Sequence, residues 1–353
     1  MKKVLFLAAA AAAVCSCSAP SGVSYTVNGT MPADAGDSVY LFVGRETVGS
    51  APVVDGKFTI EGTIEQPQYA MLNSNTDGFR QGLFLEQGVI AVDTTGASGT
   101  ANNDRLSAFQ KRNSEIVQEY YAIARAEMAA AREEGREPDK TKADSVMTVY
   151  EQFNAETLEA NIDNLLGLYL VSSSMYNMEP EELNGYLGRF APEFAEHPYT
   201  VRIKEYADAL AKTAVGQPYI DFTCPDMEGN EVALSSVVGE GKYVLLDFWA
   251  SWCGPCMGEV PYLVEAYAEY APKGFEIFGV SLDRDGDAWK KTVEEKQMNW
   301  KHVSDLKFWE CAPAALYGVK SIPTNLLIGP DGVIVAKNLR GEGLKEKLAE
   351  LLD

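Results

Sequence analysis

Positive charge is scarce in this 353-residue chain: 30 Lys and Arg stand against 51 Asp and Glu, a formal net charge of -21. Binding the phosphate backbone of a nucleic acid requires clustered Lys and Arg, so nucleic acid is excluded as a partner. Histidine is scarcer still, with two residues. His197, directly before Pro198, has no second His, Cys or paired carboxylate at a metal-ligand spacing, and reads as a helix-boundary residue. Beyond the first residues no apolar run approaches the roughly 20 residues that a membrane-spanning helix needs. The six cysteines include a single C-x-x-C pair suited to redox work, with Gly-Pro between the sulfurs and a Trp before them, so zinc is unattractive and no metal is expected.

The first residues form a targeting segment. Lys2 and Lys3 precede the Ala-rich apolar run Val4 to Val14, the pattern of a secretory signal peptide. Cys15 and Cys17 follow. This arrangement resembles the processing site of bacterial lipoproteins, with Cys17 as the lipidated residue because Val14 and Ser16 suit the positions before it. A leader over 1–17 then implies a lipid anchor in the cell envelope, at the outer membrane facing the periplasm, where disulfides are permitted.

Three regions follow the leader. Residues 23–100 carry short β-rich runs, among them Tyr25 to Val27, Ser38 to Val43, Lys57 to Ile60 and Val89 to Val92, separated by turn formers. Asp55-Gly56 between two apolar runs predicts a two-residue hairpin turn with positive φ. Residues 101–214 are rich in Ala, Glu, Leu, Lys and Arg, broken by Gly135 to Pro138, Pro180 and Pro198, and predict several amphipathic helices. Tyr120, Tyr121, Met128, Tyr150 and Met175 at helical spacing are expected in a core rather than in a binding groove. From 215 to 353 strands alternate with helices: Tyr243 to Trp249, Glu259 to Tyr270, Phe275 to Leu282, Ala288 to Lys296, Thr324 to Ile328 and Gly343 to Leu352. Such alternation implies an α/β sheet with crossover helices.

Trp252-Cys253-Gly254-Pro255-Cys256 falls between the strand ending at Trp249 and the following helix. A cysteine at a helix N-terminus has its thiolate stabilised by unpaired N–H groups and the helix dipole, and its pKa can fall from about 8.5 into the range of roughly 3.5 to 7.5. Cys253 is therefore the expected nucleophile. Cys256, nearly one turn inward, is the resolving thiol. Pro255 suits the helix start, where its missing N–H has no partner to lose.

The run Asp247-Phe248-Trp249-Ala250-Ser251-Trp252-Cys253-Gly254-Pro255-Cys256 resembles the active-site run of thioredoxin, and residues 215–353 resemble the ResA and TlpA group. Val54-Asp55-Gly56-Lys57-Phe58 and Glu86-Gln87-Gly88 resemble the N-terminal β domain that precedes such domains in Bacteroidetes lipoproteins. The resemblance implies a thioredoxin fold behind a small all-β domain and a helical region, and thiol-disulfide exchange without a cofactor. Asp247 then matches the buried Asp beneath the inner Cys, able to accept and return a proton. Glu259 matches an acidic residue near the cysteines, with an exposed helix-start Glu as the alternative. Ile322-Pro323-Thr324 matches a cis-proline loop that faces the sulfurs and pairs with an extended substrate backbone; Trp252, Gly254, Pro255 and Ile322 would touch substrate. Protein disulfides are the implied substrates, and an upstream electron donor, such as a membrane thiol relay, the implied partner.

Cys224 and Cys311 either form a structural disulfide or stand as two separate buried thiols. Two other functions compete. A thiol peroxidase of the peroxiredoxin kind resembles this fold but carries a Thr three residues before its reactive Cys, where Ala250 stands here. The third possibility is a binding or sensing module with an accessory redox pair.

Overall fold

The computed structural model describes residues 22–76 and 78–353, so the leader and Cys17 lie outside the described residues. The chain divides into two compact units, Met1–Leu170 with Phe190–His197 and Val171–Arg189 with Pro198–Asp353.

In the first unit eight strands form two sheets. They are β1 (Val23–Thr30), β2 (Ser38–Val43), β3 (Glu46–Pro52), β4 (Lys57–Ile64), β5 (Gln68–Ser74), β6 (Arg80–Leu85), β7 (Gly88–Asp93) and β8 (Gly96–Ser98). One sheet runs β4-β1-β7-β8, the other β3-β2-β5-β6. Alternate residues point inward, as the two-residue period of a strand requires. Val27, Ile60 and Ile90 from the first sheet thereby share a core with Leu41, Leu72 and Leu83 from the second. Asp55 and Gly56 take φ of 52° and 71°, and Val54 and Lys57 exchange both backbone hydrogen bonds across them, so the expected hairpin turn is present.

Five helices follow: α1 (Ala101–Glu134), α2 (Thr141–Asn161), α3 (Leu165–Ser174), α4 (Pro180–Leu187) and α5 (Pro198–Lys212). Buried Glu86 closes the start of α1, accepting from the backbone N–H of Asn102 at 3.0 Å and of Asn103 at 3.2 Å. Negative charge at this end also suits the helix dipole. Gly135, at φ 66°, ends the helix in the left-handed conformation that Gly adopts without strain. The helical region expected as one block over 101–214 is split, because the unit boundary falls inside α3 and α5 belongs to the second unit. Of the five aromatic and Met residues expected in a core, Met175 is fully buried, whereas Tyr121 and Met128 are 56% and 63% exposed. The long α1 packs on α2 through contacts such as the stacked Phe109 and Phe153, and Tyr120 and Tyr121 line a shallow groove with Met147 and Tyr150 of α2. His197 stands just before α5 as expected, its Nε2 2.7 Å from the Pro67 carbonyl.

The second unit contains the α/β sheet. Its remaining elements are the hairpin β9 (Thr223–Pro225) and β10 (Glu231–Ala233), then β11 (Tyr243–Trp249), α6 (Gly254–Tyr270), β12 (Phe275–Ser281), α7 (Gly286–Glu295), β13 (Lys301–Val303), α8 (Ala312–Leu316), β14 (Thr324–Ile328), β15 (Ile334–Lys337) and α9 (Glu342–Leu352). The sheet order is β13-β12-β11-β14-β15. Helices α6 and α7 connect three parallel strands, and β14 and β15 add to the other side antiparallel. Strand β11 lies at the centre of the sheet and is buried along nearly all its length, which explains a sequence that is apolar except at Asp247. This is the thioredoxin-like fold, and it brings the carboxyl end of the central strand to the start of α6. No helix among the described residues is long and apolar enough to cross a membrane.

Candidate active site

The chain leaves β11 at Trp249, turns through Ala250 to Trp252, and starts α6 at Gly254. Asp283 fixes this turn. Its carboxylate accepts from the Ser251 N–H at 3.0 Å and from the Ser251 and Ser281 hydroxyls at 2.5 and 2.6 Å, all three bonds within the protein interior or at its edge. Nothing in the local sequence around Asp283 marks it, because Ser251, the turn residue it holds, lies 32 positions away.

Cys253 occupies the cap position of α6, and the Cys256 N–H donates to its Sγ at 3.1 Å. The two cysteines are joined in a disulfide with their Cα atoms 5.2 Å apart. Only 5% of Cys253 and 2% of Cys256 is exposed, while Gly254 and Pro255 between them face solvent. When the bond opens, the helix-capping N–H and the dipole act on Cys253 Sγ, favouring its thiolate. Pro255 sits in the first turn, as expected, and a second proline, Pro261, lies inside the helix.

Beside Cys256 is a small cavity where Asp247, Glu259, Asn325 and Arg340 meet Pro323 and the apolar side chains of Trp249, Val260, Leu263 and Met298. Asp247 is 3% exposed, and burial pushes its carboxyl up to about 7; the nearby Arg340 guanidinium pulls it down and Glu259 pushes it up. A carboxyl that titrates near neutral pH can take a proton from one group and return it to another. Glu259 is held rather than free, its Oε2 accepting from the Gly341 N–H at 2.8 Å. Arg340, which no sequence motif marks, donates to the Leu339 carbonyl at 2.9 Å and, through its other arm, to the Pro323 carbonyl.

The Ile322-Pro323 peptide bond is cis. Pro323 lines the same cavity as Cys256, and Ile322 is half-buried ahead of β14. On the outer side Trp252 is 47% exposed and lies against Phe308 and Trp309, with ring centroids 5.0 and 6.2 Å away. These two aromatics sit on the segment after β13, and no sequence motif ties them to the cysteines.

Cys224, in β9, and Cys311, before α8, are buried free thiols, so the bridge is not formed. Burial pushes both up to about 12, and a thiol with that pKa is a poor nucleophile at neutral pH. No group of three His, Cys, Asp or Glu side chains that could hold a metal occurs among the described residues.

Residues 215–337 match the AhpC/TSA family, and residues 25–106 match a domain of unknown function, DUF4369. Over 147 residues the chain is 36% identical to the thiol-disulfide oxidoreductase ResA of Bacillus cereus, a match that covers 42% of this chain and 82% of the relative. A ResA from Halalkalibacterium halodurans is 31% identical over 156 residues, covering 44% and 85%. Among solved structures, the thioredoxin domain of a thiol-disulfide oxidoreductase from Bacteroides vulgatus is 38% identical, covering 40% of this chain and 99% of its own, with a TM-score of 0.37.

Proposed function

Since this chain belongs to the ResA family of thiol-disulfide oxidoreductases, we propose that it reduces or exchanges protein disulfides outside the cytoplasm, using Cys253 to attack and Cys256 to resolve. The observation that carries this reading is the disulfide at the start of α6 above a buried, near-neutral Asp247.

In the reduced enzyme the Cys253 thiolate attacks one sulfur of a substrate disulfide. A mixed disulfide forms, and the other substrate sulfur leaves as a thiolate and takes a proton from water. Asp247 then accepts the Cys256 proton, directly or through one water in the cavity. The freed Cys256 sulfur bonds to Cys253 Sγ, and the second substrate sulfur leaves. Two electrons have passed from the enzyme pair to the substrate, and a donor dithiol must return them. The cis-proline loop, with Ile322 at its edge, offers extended backbone beside the sulfurs for a substrate strand, and Trp252, Gly254 and Pro255 supply the exposed surface around them. The site needs no cofactor for any of these steps.

The leader over 1–17 and Cys17 support placement at the outer membrane by a lipid anchor, with the folded part in the periplasm. A membrane thiol relay is the donor this placement calls for.

Equilibrating the purified protein with glutathione or dithiothreitol buffers and trapping thiols tests the reading. A two-electron transition confined to Cys253 and Cys256, at a potential between about -180 and -300 mV, is expected. A pair that stays oxidised or reduced across that whole range would remove the proposal.

A further inference from the structure

The turn that follows β15 is strained and held from several directions. Asn338 has φ 55°, a conformation uncommon for residues other than Gly, and Gly341 has φ 49° and ψ -129°, which a side chain would oppose. Asn325 grips the turn twice, donating to the Leu339 carbonyl at 2.9 Å and accepting from the Leu339 N–H at 2.9 Å. Glu259 grips it once more at the Gly341 N–H. Between these anchors the turn aims Arg340 inward, where one arm of its guanidinium reaches the carbonyl of cis Pro323 while the group lines the cavity of Asp247 and Cys256. One cation therefore touches both the loop that meets substrate and the pocket that handles the proton.

We propose that Arg340 is a positioning residue that couples these two parts: its fork holds the cis-proline loop in place, and its charge steadies the Asp247 carboxylate when that carboxylate forms. This rests on the oxidoreductase reading above and assigns the site a residue that neither its motif nor its cysteines reveal. The titratable groups facing Asp247 are Cys256 and Glu259 from α6 and Arg340 from the turn. The flanking strands place Gly279 and Asn325 opposite it, and neither titrates. Arg340 is thus the one cation among the described residues of that cavity. A planar two-armed donor suits the double task. Lysine would keep the charge and lose the fork.

Three proteins separate the two effects: wild type, Arg340→Met and Arg340→Lys, each titrated at Asp247 by carboxyl-carbon NMR and assayed for reduction of a peptide disulfide across pH. In Arg340→Met the Asp247 midpoint is expected to rise by about half a unit or more, and the alkaline rise of kcat to move with it, because a favourable charge is gone. Arg340→Lys is expected to return that midpoint toward wild type yet keep a KM for the peptide raised about threefold or more, because the loop has lost its clamp. A merely structural arginine would leave the midpoint where it was. The proposal is overturned by an unchanged Asp247 midpoint in Arg340→Met, or by a wild-type KM in Arg340→Lys. Failure of the oxidoreductase reading shows differently, as wild-type protein that reduces no disulfide at any pH.

Discussion

Asp247 and His302 are both buried, and burial works on them in opposite senses. For Asp247 the folded state keeps the proton that the unfolded chain releases, so its contribution to stability is full below about pH 4 and is lost as pH rises toward 7. Asp247→Asn removes that charge. It is expected to raise stability at pH 8 by about 3 to 4 kcal/mol in urea unfolding while slowing turnover and flattening the pH profile. An unchanged pH profile would rule out the proton role. His302 has the reverse sign. Burial, partly offset by its bond to the Met298 carbonyl, drives its pKa down to about 4, so the unfolded chain takes the proton first. Its contribution is intact above about pH 6.5 and falls away by up to about 3 kcal/mol on acidification to pH 4. Asp247 regains stability over the same window, so the readout is a difference: acidified from pH 6.5 to 4, wild type should lose stability relative to His302→Asn by up to about 3 kcal/mol in urea unfolding, and an unchanged difference would contradict this. Legibility differs between the two: Asp247 was readable because it lies on the strand leading to the cysteines, whereas His302 stands in a three-residue strand with no motif around it.

At the scale of elements, strands and turns with local causes were legible and those fixed by distant partners were not. Strands β11 and β14 have the residues expected, since a buried central strand writes itself as an apolar run, and the Asp55-Gly56 turn follows from φ chemistry alone. Short β13 and β15 escaped notice, and so did the turn after β15, whose shape depends on Asn325 and Glu259. The helices were recognisable as helices, but helical spacing does not say which core a face meets, so the division of α1 to α5 between two units was not readable. Strand β12 offers a sharp test. A Cβ on Gly279 would come 2.5 Å from His302 Nδ1 and 3.2 Å from Trp249 Nε1, distances that force one of these buried groups to move. Gly279→Ala is therefore expected to destabilise the protein by about 1 to 3 kcal/mol, the range for overpacking, with a lower thermal midpoint as the readout. An unaltered midpoint would mean that this strand relaxes freely.

At the scale of the whole molecule, the described cysteines fall into two environments. Of the four described cysteines two form the disulfide at the head of α6, and the other two are sequestered thiols held in the neutral form by burial. In the proposed mechanism Cys253 and Cys256 have unequal roles, attack and resolution, and Cys224 and Cys311 take no part. The most direct measurement is trapping: reduced Cys256→Ser and Cys253→Ser proteins are each incubated with a peptide disulfide and the adducts mapped by mass spectrometry. The expected result is a stable mixed disulfide on Cys253 in Cys256→Ser, and no comparable adduct in Cys253→Ser. An adduct that forms equally well on Cys256 alone, or on Cys224 or Cys311, would contradict the assignment of Cys253 as the attacking sulfur.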